Sequence, residues 1–120
     1  MSNTKILFGN PLEFKMGTDS EQIHHNSTVS VDFEVFGTVQ GVYFTKYCRE
    51  RANLLGLGGW VKNSKKGTIL GKMQGEKEKV EEMIAWLSKE GSPGCVIERC
   101  DLNNFEYMAR QEFKGFTIRF

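Results

Sequence analysis

Long apolar runs are missing from this 120-residue chain: its longest is Met83–Leu87, five residues. A membrane-spanning helix needs about 20 apolar residues, so none fits. Two prolines are too few for a proline-rich recruiting segment. Three cysteines, Cys48, Cys95 and Cys100, leave one over in any disulfide scheme and form no C-x-x-C pair. Such sparse use points to a reducing, cytoplasmic compartment, with the thiols packed as small hydrophobes. Excess charge of one sign is also lacking. Lys plus Arg number 16 and Asp plus Glu 15, a net +1, so no global field draws the chain onto nucleic acid or a lipid surface. The first arginine is Arg49 and the early apolar cluster is only Ile6-Leu7-Phe8, which argues against a transit peptide and a secretory signal. What is present is ordinary globular material, 39% apolar with 13 glycines, enough for one domain.

Residues 1–30 are rich in Asn, Ser, Thr, Gly and His and carry two lysines against three carboxylates. Their apolar residues keep no period, so the segment reads as a flexible extension, with a short strand conceivable at Lys5–Phe8. From Val31 the pattern sharpens. Val31, Phe33 and Val35 alternate with Asp32 and Glu34, the period of a strand with one buried face. Phe44, Tyr47, Cys48, Ala52 and Leu55 follow at three- and four-residue spacing, the stripe of an amphipathic helix. Trp60-Val61 and Ile69-Leu70 flank the polar turn Ser64-Lys65-Lys66-Gly67, a hairpin. Val80, Met83, Ile84 and Leu87 mark a second helix, with Glu76 and Glu78 at its start and Gly91 and Pro93 beyond its end. Val96, Cys100 and Leu102 suggest a fourth strand, and Phe116, Ile118 and Phe120 a fifth.

The resulting order is βαββαβ plus one C-terminal strand. Right-handed crossovers place both helices on one face of a mainly antiparallel sheet. That is an α+β, two-layer sandwich of ferredoxin-like type. The fold hosts many chemistries, so function has to be sought in a site.

The stretch Gly37-Thr38-Val39-Gln40-Gly41-Val42-Tyr43-Phe44 joins the first strand to the first helix. Two glycines there let successive N–H groups converge where a helix start adds unpaired donors and partial positive charge. Such a loop can cradle an anion, phosphate above all. Together with Gly56-Leu57-Gly58-Gly59-Trp60-Val61-Lys62-Asn63, Gly67-Thr68 and Gly91-Ser92-Pro93, it resembles the acylphosphatase family, whose pattern reads G-x-V-Q-G-V-x-F-R, then G-L-x-G-W-V-x-N, then G-T. The resemblance runs over residues 31–120 and leaves the first 30 outside.

The resemblance implies hydrolysis of the carboxyl–phosphate bond of small acyl phosphates, with no metal, no cofactor and no covalent intermediate, by a monomer. Backbone N–H groups of Gln40, Gly41, Val42, Tyr43 and Phe44 would hold the phosphate, and the Asn63 carboxamide would hold the attacking water. One position departs from the pattern. Where the family has its phosphate-binding arginine this chain has Thr45. A hydroxyl donates one hydrogen bond and carries no charge, and losing one donor to a developing oxyanion costs about 10²–10³ in rate. Lys46 sits about 100° further round the helix, and Arg49 one turn along on roughly the face of Thr45, where it would have to reach back to substitute; whether either substitutes stays open. Two readings stay open: a weakened acylphosphatase, or an inactive relative that binds an anion or a protein partner.

Other signals carry less. Lys114–Phe120 looks like the start of an RNA-recognition strand, but that strand belongs third in its domain and here the sequence stops. Gly67–Lys72 has three residues between its glycines where a P-loop needs four. His24-His25 has no supporting shell for a metal.

Overall fold

In the computed structural model, which describes residues 27–120, the first strand begins earlier than the alternation announces. Strand β1 spans Thr28–Thr38 and not Val31 onward. Thr28 already pairs with Glu76 and with Met108, and Val29 and Ser30 are buried. The boundary at residue 30 therefore falls inside the sheet. Ser30 hid the start, because its polar side chain faces the side opposite the helices. There Gln74 Nε2 donates to Ser30 Oγ at 3.3 Å, and Gln74 Oε1 accepts from the amides of Glu112 and Phe113. A chain segment laid over that end of the sheet buries what an alternating pattern would expose. The first 26 residues of the expected extension, with the strand at Lys5–Phe8 and His24-His25, lie outside the described residues.

After β1 come α1 (Phe44–Leu54), β2 (Gly58–Asn63), β3 (Ile69–Glu76), α2 (Lys77–Ala85), β4 (Val96–Met108) and β5 (Phe116–Ile118). The sheet order is β4-β1-β3-β2-β5. All neighbours run antiparallel except β2 and β5. This is the α+β ferredoxin-like sandwich with an added edge strand. Both helices cover the face that carries Val29, Val31, Phe33 and Val35, and Phe44, Cys48, Ala52, Val80, Met83, Ile84 and Leu87 join them in one buried cluster. Each Val, Leu, Ile, Met or Phe among them contributes about 1.5–3 kcal/mol by leaving water.

Two side chains depart from their expected places. Tyr47 is 40% exposed, on the flank of the α1 stripe and not within it. Phe120 lies past the end of β5 and is fully exposed. The chain after α2 continues as one wide π turn, Trp86–Glu90, before Gly91 ends it. Gly91 has φ +66°, and a Cβ there would stand 2.5 Å from Cys95 Sγ and 2.9 Å from Phe44 Cε2. Only glycine lets this turn close against α1, where Phe44 and Trp86 pack with ring centroids 5.3 Å apart.

All three cysteines are free thiols. Burial, with the Cys100 thiol nearby, pushes the Cys48 thiol well above its ordinary range. Cys100 is pushed up to about 12 by burial first and by the charge of Asp101 second. Both act as small hydrophobes, and Cys95 is half-buried.

Candidate functional site

The loop between β1 and α1 is pinned at both ends. Val39 and Phe44 are each 1% exposed, so the residues between them have little freedom to drift. Gly41 has φ +78°, a left-handed conformation open to glycine at no steric cost. Tyr43 has φ 58° and ψ 25°, with its side chain 74% exposed. A bulky residue held in that region is strained, and strain of this kind collects at functional sites.

Tyr43 is also the residue that opens α1, and it offers no side-chain oxygen to the first-turn amides. None of the amides from Gln40 to Lys46 donates a well-formed hydrogen bond to a backbone carbonyl among the described residues. The first turn of α1 contains no acidic residue. The positive end of a helix, its unpaired N–H groups and a glycine-bent approach therefore coincide, which is an anion-binding arrangement.

Gln40 does more than the sequence implied. Its Nε2 donates to the carbonyls of Ser64 and Thr68, both at 2.9 Å. The side chain fastens the loop to the turn between β2 and β3, directly after Asn63. Asn63 is the last residue of β2, paired with Ile69 and exposed. The loop and the end of β2 are thus neighbours, although 23 positions separate Gln40 from Asn63. Nothing in the sequence announced this tie, since a glutamine in a polar loop carries no period and no spacing rule. Thr45, the second residue of α1, is half-buried; Lys46 is exposed and Arg49 half-buried.

No group of three or more His, Cys, Asp or Glu side chains is placed to hold a metal among the described residues. A groove of about 660 Å³ runs along the other flank of α1, lined by Tyr47, Leu54, Trp86 and Cys95, and it includes none of the loop residues.

Comparison with known proteins bears on this site. The Acylphosphatase family model matches residues 31–118. Acylphosphatase-2 of Rattus norvegicus is 52% identical over 91 residues, which cover 76% of this chain and 94% of the relative. Acylphosphatase-2 of Homo sapiens is 47% identical over 94 residues, covering 78% and 95%. Among solved structures, an acylphosphatase from Coxiella burnetii superposes with a TM-score of 0.67 at 30% identity, over 78% of this chain and 94% of that one. An acylphosphatase from Bacillus subtilis has a TM-score of 0.70 at 24% identity, covering 77% and 99%, and speaks for the fold alone.

Proposed function

The chain belongs to the acylphosphatase family, and from that premise we propose that it hydrolyses small acyl phosphates at the loop preceding α1. The observation that carries this reading is the uncapped start of α1 beside the end of β2. The phosphoryl group sits on the amides of Gln40, Gly41, Val42, Tyr43 and Phe44. The Asn63 carboxamide accepts one hydrogen of a water and turns its oxygen toward phosphorus, in line with the leaving carboxylate. The P–O bond to water forms as the P–O bond to the acyl oxygen breaks, and the carboxylate leaves with that electron pair. A phosphate oxygen takes the water proton. Phosphoryl transfer is mostly positioning and charge stabilisation, so a neutral amide can serve.

Thr45 makes this site slow. At the second position of α1 it supplies one hydroxyl where the family pattern has a charged fork. Lys46 points about 100° away from Thr45, and Arg49, on roughly the same face one turn along, has to reach back over that turn. Steady-state hydrolysis of benzoyl phosphate by the purified full chain tests the reading. Carboxylate and phosphate should appear in equal amounts, without added metal. Binding of inorganic phosphate with no turnover would instead favour an inactive, anion-binding member of the family.

A further inference from the structure

The turn that follows Asn63 is gripped from the centre of the sheet. Its backbone closes through Ser64 N–H donating to Thr68 O at 2.8 Å. Ser64 Oγ accepts from the amides of Lys66 and Thr68, at 3.2 and 3.1 Å, and lies 2.6 Å from Thr68 Oγ1. Thr68 Oγ1 in turn donates to Glu34 Oε2 at 2.6 Å. A threonine hydroxyl has one hydrogen, and Thr68 donates it to Glu34, so in the Ser64–Thr68 bond Ser64 Oγ–H is the donor and Thr68 Oγ1 the acceptor. The chain of donors runs from the turn amides through Ser64 and Thr68 and ends on a carboxylate. A charged terminus makes its last bond a strong one. Lys66 Nζ stands 3.3 Å from the same carboxylate oxygen.

Glu34 lies on β1, opposite Leu70 of β3 and Asp101 of β4. Four residues further on, β1 runs out at Thr38 into the phosphate loop. One strand therefore carries the loop and, through Glu34, grips the turn behind Asn63. Gln40 closes the circuit by bonding both Ser64 O and Thr68 O. Thr68 is 5% exposed and the Glu34 side chain 19%, so water competes little for these bonds.

We infer that Glu34 is a positioning residue for the hydrolysis. Through Thr68 and Ser64 it sets where the Asn63 carboxamide stands relative to the amides of Gln40–Phe44. It touches neither substrate nor water. The inference rests on the acyl phosphate reading given above, and its test separates the two.

The experiment measures kcat for benzoyl phosphate and the inhibition constant of inorganic phosphate, in the wild type, Glu34→Ala and Glu34→Gln. Glu34→Ala should lower kcat at least about fivefold, because a small misplacement of an orienting group is costly. The phosphate constant should stay within about twofold, since the loop amides are untouched. Glu34→Gln keeps an acceptor oxygen for Thr68 and should restore kcat to within about twofold of wild type. A smaller kcat loss in Glu34→Ala overturns the inference. So does a phosphate constant that weakens in step with kcat, or a Gln variant as slow as the Ala variant. If Glu34→Ala does not fold, Thr68→Val removes the same bond and is held to the same limits. A wild type without turnover refutes the functional reading separately. The positioning claim is then read from the NMR resonances of the Asn63 carboxamide. Displacement by Glu34→Ala with recovery in Glu34→Gln supports it, and any other pattern overturns it.

Discussion

Helices α1 and α2 lie on the same face of the same sheet, and neither start carries a side-chain cap. Their first turns are nevertheless opposites. Helix α2 opens with Glu76 in extended geometry at φ −59° and ψ 138°, has Glu78 in its first turn, and gives the amide of Lys77 to Ser27 O at 2.8 Å. Carboxylates offset its dipole and a carbonyl occupies its first donor. Helix α1 opens on a left-handed tyrosine, has no acid in its first turn and, among the described residues, has no well-formed bond from its first amides to a backbone carbonyl. One helix start has a carbonyl on its first amide; the other, in the reading proposed above, takes an anion there. Two helices on one face thus differ through a handful of residues at one end.

The largest effect expected from this contrast concerns charge. Thr45→Arg should raise kcat/KM for benzoyl phosphate by about 10²-fold, the inverse of losing one donor to a developing oxyanion. Adding Asn63→Ala in that background should abolish most of the gain, since bound phosphate without an oriented water is not attacked. A gain below about threefold in a folded, phosphate-binding Thr45→Arg would show that more than the charge clamp has changed.

A truncation comes next. A chain beginning at Val31 loses buried Val29 and the Ser27 carbonyl that holds α2, while the bonds given for α1 among the described residues involve none before Val31. Burial of a valine is worth about 1.5–3 kcal/mol, and each kcal/mol shifts Tm by roughly 4–8 °C in a domain of this size. Thermal unfolding should show a fall of about 10 °C, and amide exchange should rise at Lys77–Val80 more than at Phe44–Cys48.

Making α1 resemble α2 is the third change. Lys46→Glu puts a carboxylate in the first turn of α1, as Glu78 does in α2. It should weaken phosphate binding by about fivefold while stabilising the helix by about 0.3–1 kcal/mol. Phosphate titration of the wild type should move the amides of Gly41–Lys46 and leave Lys77–Val80 in place. Equal shifts at both helix starts would erase the distinction.

The smallest effect lies behind α1. Cys48 and Cys100 are held protonated by burial, above the ordinary value of 9.0. As pH rises past about 9 the unfolded chain loses these protons first, so it binds fewer protons than the folded chain and stability falls. The slope is at most about 1.4 kcal/mol per pH unit for each thiol, and for Cys100 it levels off near 12. Cys48→Ala should show a shallower loss of Tm between pH 8 and about 10.5.

Much of the architecture was legible because it depends on local period. Val31, Phe33 and Val35 on β1, Val80, Met83 and Ile84 on α2, and Leu87 in the π turn after it are buried as their spacing demands. Thr28–Ser30 was not legible, because the cover over that end of the sheet comes from residues 112 and 113, far along the chain. Tyr47 was misplaced for a related reason: a stripe read from spacing has no sharp edge, and where the edge falls depends on how α1 rolls against its neighbours. The family was visible through the motifs around Gly37, Gly41 and Asn63, since the family model matches residues 31–118.

By itself the amino-acid order determined the succession of strands and helices, the faces they bury and the glycine-bearing loop between β1 and α1, since all of these follow from backbone preference and apolar period. Tertiary structure alone decided that Gln40 bonds the turn behind Asn63. It also decided that Glu34 ends the hydroxyl chain through Thr68, and that the Ser27 carbonyl meets the first amide of α2. The Gln40 and Glu34 bonds join residues 24 to 34 positions apart. No local pattern encodes such a distance; it exists only once β1, β2 and β3 lie side by side.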